Sequence, residues 1–148
     1  MTDISAFATG HPIMHNNGPT WTFNADGTIV AGQVVAFDAD GVSSEVRAAV
    51  AEAGERPVGV ALTGAADGEK VTVAMPGAIC YVVNADDTTA VDAGHWVGTN
   101  DNALGGTVSE ITIANGSDIV IGFMLEDLAG GSYALCYIHP QVCTKAGS

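Results

Sequence analysis

The chain has 148 residues, of which 47% are hydrophobic and 14% charged, and its formal net charge is −13. This length and apolar content predict one folded domain and exclude a disordered acidic chain. Because its four basic residues (Arg47, Arg56, Lys70 and Lys145) are scattered, the composition also argues against nucleic acid and anionic membranes as direct partners.

Residues 1–20 have no strand pattern. Gly10, Pro12 and Pro19 interrupt the segment, which predicts an N-terminal arm or long loop in front of a single domain at residues 21–148. The first residues have neither a basic region nor a long apolar run, so we expect no signal peptide and no membrane-spanning segment.

Short runs rich in β-branched residues follow at close spacing through the rest of the chain. They lie at residues 28–31, 33–37, 58–62, 71–75, 79–83, 96–97, 108–113, 119–121 and 133–138. Gly, Asp and Asn separate these runs and are typical of tight turns. The pattern predicts an all-β fold, a compact and mostly antiparallel barrel or sandwich.

Residues 43–53 are the one segment that also suits a helix. Serine caps, apolar residues at helical spacing and Gly54 as a stop signal favour a short helix. An extended stretch that leads into Pro57 fits the same residues equally well.

The three cysteines are Cys80, Cys136 and Cys143, and an odd number does not indicate a disulfide framework. Buried or idle thiols are the simplest interpretation, while a Cys136–Cys143 bridge or a bridge between subunits stays open. The spacing of Cys136, His139 and Cys143 resembles half of a zinc site, which would need a further ligand such as Cys80. A final strand and its tail explain these residues without a metal, so we predict no cofactor.

No pattern in the chain marks a catalytic centre. The sequence has no nucleophile elbow, no phosphate-binding loop and no dinucleotide-binding glycine motif. His11 and His15 lie in the irregular arm, and residues 38–41 supply two carboxylates without the remaining ligands of a calcium loop. We therefore expect a protein that is not an enzyme.

The acidic, lysine-poor composition has two interpretations. Such surfaces keep proteins hydrated in the saline cytoplasm of a salt-loving host, and they also keep proteins dispersed at high local copy number. The presence of only two lysines favours the saline interpretation.

Between residues 29 and 140, several segments in order resemble the small capsid cement (decoration) proteins of tailed double-stranded DNA viruses. These segments are GQVV at 32–35, RPVGVA at 56–61, GEKVTV at 68–73 with PG at 76–77, AGHWV at 93–97, and IGFML at 121–125 with GG at 130–131. His95 departs from the family pattern, which usually has an acidic or polar residue there. Residues 43–53 and the arm are the parts that the resemblance covers least.

The resemblance implies a structural virion protein. Such proteins sit on the outer surface of an icosahedral capsid as trimers or monomers, bind the major capsid protein and stabilise the expanded shell. They are made in the host cytoplasm. In this role the arm is a candidate contact with the shell or between subunits, anchored by Phe7, Ile13, Met14 and Trp21, because aromatic side chains are enriched at binding hot spots. Alternatively, Trp21 closes the barrel.

A small ligand- or carbohydrate-binding β-barrel is the alternative function. It would need a cleft lined by aromatic side chains. Aromatic residues make up only 6% of the chain, and Trp21 and Trp96 are far apart in sequence.

Overall fold

The computed structural model describes residues 16–37, 45–48, 56–84, 90–99, 106, 108–110 and 117–144. These ranges contain eleven β-strands and no helix, which confirms the predicted all-β fold. The strands are β1 (Asn16–Asn17), β2 (Thr20–Ala25), β3 (Val34–Phe37), β4 (Glu45–Ala48), β5 (Arg56–Ala61), β6 (Lys70–Ala74), β7 (Ile79–Val83), β8 (Trp96–Thr99), β9 (Val108–Glu110), β10 (Ser117–Met124) and β11 (Tyr133–Thr144). Across the described ranges, no helix is available to cross a membrane.

The strands form one closed barrel and one open sheet. The barrel has the order β2-β4-β3-β5-β6, and its neighbours are antiparallel except for the parallel pair β2–β4. The sheet has the order β1-β7-β11-β10-β8-β9 and is antiparallel throughout. Both parts agree with the predicted, mostly antiparallel architecture.

The segment that suited a helix is extended where the structure describes it. Glu45–Ala48 forms strand β4, which pairs with β3 on one side and with β2 on the other. Val46 is buried inside the barrel. Pairing on both sides closes the barrel, and this tertiary contact outweighs the weak local preference for a helix. The rest of residues 43–53 lies outside the described residues.

The beginning of the described chain overlaps the predicted arm. Asn16–Asn17 forms β1 on the edge of β7, and Thr20 is already the first residue of β2. Residues 16, 17 and 20 are therefore strand residues, whereas the sequence indicated a loop for them. Residues 1–15 lie outside the described part of the chain.

Two successive sets of five strands have the same internal pairing. We call β2–β6 unit 1 and β7–β11 unit 2. In each unit the strand order is first, fifth, fourth, second and third. Registers also agree: the second and fourth strands pair through Val34–Val60, Val35–Gly59 and Ala36–Pro57 in unit 1 and through Trp96–Phe123, Val97–Gly122 and Gly98–Val120 in unit 2.

The connections between the strands repeat as well. The isolated antiparallel bridges are Ile29–Ala65 in unit 1 and Val91–Leu128 in unit 2. Three residues after the first bridge residue of each unit, Gly32 and Gly94 have φ of 92° and 88°, the left-handed region that favours glycine. The chain is therefore a tandem repeat of one five-stranded unit. Unit 1 closes because its first and third strands pair, and the described residues of unit 2 do not make that pair.

The two units share a hydrophobic core. The barrel of unit 1 encloses a first cluster of apolar side chains, among them Phe23, Ile29 and Val73. A second cluster joins the outward-facing side chains of β3, β5 and β6 to the inward-facing side chains of unit 2. Strands β3 and β5 therefore bury both faces, which explains why VVAF and VGVA lack polar alternation. Each fully buried valine contributes about 1.5–3 kcal/mol relative to an exposed one.

Candidate interaction surfaces

Trp21 is the predicted shell contact that the structure describes. It lies in β2 opposite Val73 of β6, and 66% of its surface is exposed, more than for any other large apolar residue in the described part of the chain. The other predicted contacts, Phe7, Ile13 and Met14, lie outside the described residues.

Trp21 is largely exposed, unlike the residues that follow it on the same side of β2. Alternation along β2 places Phe23 and Ala25 in the barrel interior, where the Phe23 ring meets Phe37 edge to face with centroids 5.6 Å apart. Trp21 precedes them near the beginning of the strand. It therefore lies on the same side of β2 as Phe23, although most of its own surface is exposed.

A second apolar surface lies on the outer side of unit 2. We call it the aromatic face and define it by the outward-facing side chains of β8, β10 and β11 and of the residue after β10: Trp96, Phe123, Leu125, Leu135, Tyr137 and His139. Trp96 and Leu125 are 40% and 41% exposed. Phe123, Leu135 and Tyr137 are half-buried, and His139 is exposed.

The rings of the aromatic face form a continuous row across three strands. Trp96 pairs with Phe123, and Phe123 pairs with Tyr137. Centroids are 5.2 Å apart in both pairs, with interplanar angles of 70° and 35°. The ring centroid of His139 lies 6.3 Å from that of Tyr137 and 6.5 Å from that of Trp96. Cross-strand aromatic pairs of this kind stabilise a sheet by roughly 0.2–1 kcal/mol each, and they give the surface a fixed shape.

The structure does not bring Cys136 and His139 together as the zinc half-site that their spacing resembled. Alternation along β11 buries Cys136 in the core and exposes His139 on the opposite side of the strand. Cys136 lies directly opposite Cys80 of β7, and both are free thiols. Burial raises the pKa of Cys80 to about 12. Burial, and then the neighbouring Cys80, raise the pKa of Cys136.

Protonated, buried thiols are poor metal ligands and poor nucleophiles, because both reactions require the thiolate. Among the described residues, no group of three or more His, Cys, Asp or Glu side chains is placed to hold a metal ion. His11, His15 and residues 38–41 lie outside those residues, as does the side chain of Cys143.

In the described part of unit 1, the barrel interior does not contain the aromatic cleft that a ligand-binding barrel needs. The described side chains inside it are apolar and packed together, with Phe23 as the one fully enclosed ring. Aromatic side chains gather instead on the outer side of unit 2, as a row on a sheet surface.

Sequence reasoning missed the aromatic face. The signal was present in the last strand, where Leu135, Tyr137 and His139 alternate with the small or aliphatic residues of the core. Their neighbours Trp96 and Phe123 come from distant parts of the chain, so only the register of β8, β10 and β11 brings them together.

Comparison with known proteins adds the following findings. A family model described as phage cement protein matches residues 13–137. The fold is similar to a solved structure entitled the crystal structure of head fiber gp8.5 N base in bacteriophage phi29, with 22% sequence identity and a TM-score of 0.58, covering 81% of this chain and 92% of that chain. No curated protein matches the chain.

Proposed function

Because the chain belongs to the phage cement protein family, we propose that this capsid-associated structural protein binds the outside of the icosahedral shell and stabilises its expanded form. The match over residues 13–137 is the observation that carries the proposal, since it spans both units of the fold. This role depends on the shape of the protein and on its repeated binding over the shell, and it requires no catalytic site.

The proposed mechanism is stabilisation by mass action. A protein that binds the expanded lattice of the major capsid protein, and not its unexpanded form, favours the expanded state by RT ln(1 + [L]/Kd) per site. At a free concentration of one hundred times Kd, this is about 2.7 kcal/mol per site. A homotrimer would multiply the effect, because linked contacts raise the effective concentration of each subunit at the shell.

The predicted arm and Trp21 of unit 1 are the proposed contact with the shell. The arm at residues 1–20 carries Phe7, Ile13 and Met14, and it leads directly into the exposed Trp21. Large aromatic side chains at the centre of an interface supply much of its binding energy. The net charge of −13 would keep a densely decorated particle dispersed in solution.

Co-sedimentation with shells of the virus tests the proposal. Purified protein should bind expanded shells in a saturable way and should not bind unexpanded ones, in the salt concentration of the host. Trp21→Ala should weaken binding by at least about 10-fold, as expected for an interface hot spot. Val30→Ala is the matched control, because Val30 is a second exposed apolar residue of unit 1, at 41%.

The arm is tested by deleting residues 1–15. The deletion stops there because Asn16–Asn17 and Thr20 belong to strands β1 and β2. The shortened protein should keep its β-sheet circular dichroism and lose affinity for expanded shells. Binding of the full chain to neither form of the shell would refute the proposed function.

A further inference from the structure

We propose that Cys80 and Cys136 are the site of a reversible disulfide bond that joins the first and last strands of unit 2, with a low-molecular-weight disulfide such as oxidised glutathione as the oxidant. The bond itself follows from the geometry of the chain. Its role on a particle rests on the proposed function, because a virion protein passes from the host cytoplasm, where thiols stay reduced, to an oxidising exterior, where disulfides persist.

The strand register places the two thiols side by side. Cys80 of β7 lies directly opposite Cys136 of β11, and both side chains are completely buried in the core that the two units share. Two residues further along the ladder, the N–H of Ile138 donates to the carbonyl oxygen of Ala78 at 2.9 Å, so the cysteines occupy a hydrogen-bonded position of the antiparallel pair. Cα atoms at such positions are about 5.5 Å apart, within the range of about 4.4–6.8 Å that disulfides span.

Cys143 does not compete for either thiol. It lies on β11 with Cys136, and the two residues pair with Asp118 and Met124 of β10. At about 3.3 Å per residue, the strand separates the Cα atoms of Cys136 and Cys143 by roughly 20 Å, far beyond the roughly 7 Å that a disulfide bridges. Because Cys80 lies opposite Cys136, it is similarly far from Cys143. Within one chain, the register therefore favours the pair Cys80–Cys136.

Comparison of the two units shows what the bond would supply. The equivalent residues of unit 1 are Trp21 and Val73, in a barrel that the pairing of β2 with β4 closes. The described residues of unit 2 do not make that closing pair, so β7 is held by β11 on one side and by the two-residue strand β1 on the other. A disulfide across β7 and β11 would fasten the strand that lacks this closure, and it would enclose β8, β9 and β10 in one covalent loop.

Burial determines when the bond forms. Thiol–disulfide exchange requires a thiolate, and burial raises the pKa of Cys80 to about 12. The reaction therefore requires a local opening of the sheet, which is easiest near an edge, and β7 is covered at its edge by β1 alone. In the closed sheet, the thiol of Cys136 donates to the carbonyl oxygen of Tyr137 at 3.6 Å, a weak hydrogen bond that rotation about χ1 breaks.

The reaction proceeds by two exchanges. The thiolate of Cys80 attacks one sulfur of oxidised glutathione, so that a mixed disulfide forms and one glutathione thiolate leaves. The thiolate of Cys136 then attacks the Cys80 sulfur of the mixed disulfide, and a second glutathione thiolate leaves. The two cysteines thereby lose two protons and two electrons, and these convert one molecule of oxidised glutathione to two of the thiol. An excess of thiol reverses both exchanges.

Thiol counting on the full chain tests the inference. The background is Cys143→Ser, which leaves Cys80 and Cys136 as the two thiols. The protein is incubated with oxidised glutathione at mildly alkaline pH, in urea just below its unfolding midpoint, and the urea is then removed. Both thiols should disappear when they are counted in denaturant, the mass should fall by two hydrogen atoms, and proteolysis should release a linked pair of peptides. The control, Cys80→Ala in the same background, should keep one thiol or carry one glutathione.

Stability gives a second readout. Because the bond restricts the unfolded chain over the long loop of residues 80–136, the urea midpoint should rise by about 1–2 M. The circular dichroism of the native protein should not change. Dithiothreitol should return the midpoint to that of the untreated protein, and the Cys80→Ala control should show no rise after the same treatment.

The outcomes separate this inference from the proposed function. Two free thiols after the treatment, or glutathione adducts without the bond, overturn the inference. A midpoint that does not rise on oxidation also overturns it, because the bond would then strain the native sheet. A protein that binds expanded shells and never forms the bond refutes this inference alone, whereas a protein that forms the bond and binds neither form of the shell refutes the proposed function alone.

Discussion

Gly59 is a position where a single added methyl group should damage the fold severely. In the pairing of β3 with β5, Val35 lies opposite Gly59 and Ala36 lies opposite Pro57, so Val58 is the extra residue of a β-bulge. A Cβ at residue 59 would collide with the carbonyl oxygen of Ala74 and lie 3.0 Å from Cγ1 of Val73. Gly59→Ala therefore forces β5 and β6 apart inside a buried pair of strands.

The cost of this substitution follows from what must move. The obstacle is backbone rather than the end of a flexible side chain, and Ala74 is fully buried in the shared core. Overpacking of a core costs 1–3 kcal/mol and occasionally more, so we expect the free energy of unfolding to fall by about 3 kcal/mol. With a urea m value of about 2 kcal/mol/M, the unfolding midpoint should fall by about 1.5 M.

Urea denaturation followed by circular dichroism is the assay, and Gly64→Ala is its control. A Cβ at residue 64 would meet only the carbonyl oxygen of Ile29 at 3.5 Å, an ordinary contact. The free energy of unfolding of Gly64→Ala should stay within about 1 kcal/mol of the wild-type value, because alanine restricts the unfolded chain and this offsets a small strain in the folded state. A Gly59→Ala midpoint that matches the Gly64→Ala midpoint would refute the close-approach reasoning.

Gly122→Ala should cost as much as Gly59→Ala in the same urea assay, because its Cβ would collide with the carbonyl oxygen of Tyr137 at the equivalent bulge. Leu128→Ala should lower the free energy of unfolding by about 2–5 kcal/mol, since Leu128 is fully buried. Burial raises the pKa of Cys80 to about 12 from 9.0, so the folded state keeps a proton that the unfolded state loses. Stability should therefore fall as pH rises above 9, by up to about 1.4 kcal/mol per pH unit from this thiol, and less so in Cys80→Ala. Raising sodium chloride should increase the melting temperature, because it screens repulsion within a chain of net charge −13.

The fold class was accessible from the sequence because strands and turns are local. Runs such as VTVA and ICYVV contain enough β-branched residues to predict strands, and the Gly and Asp residues between them mark the turns. Gly68 and Gly131 indeed have positive φ of 80° and 69°. The closure of the barrel was less accessible, because it depends on the parallel pairing of β2 with β4, two strands that are separated by β3.

The tandem repeat was invisible for a different reason. The two units share a register of backbone hydrogen bonds, and that register is compatible with many kinds of side chain. Gly59 and Gly122 recur because both bulges bring a neighbouring carbonyl oxygen against the Cα atom. Most equivalent positions carry different residues in the two units. For example, Trp21 in β2 corresponds to Cys80 in β7, because each pairs with the equivalent residue of the last strand in its unit.

These exchanges follow from how the units pack. Cys80 is buried because unit 2 turns its inner side toward unit 1, whereas the barrel of unit 1 closes on itself and leaves Trp21 at its surface. The outer rows differ in the opposite sense, because the small residues Val34, Val60 and Ala74 are covered by unit 2. The unit 2 row lacks that cover and carries rings. Comparison of the two units therefore shows that the packing of one unit on the other does not require the exposed side chain of Trp21 or the rings of the aromatic face.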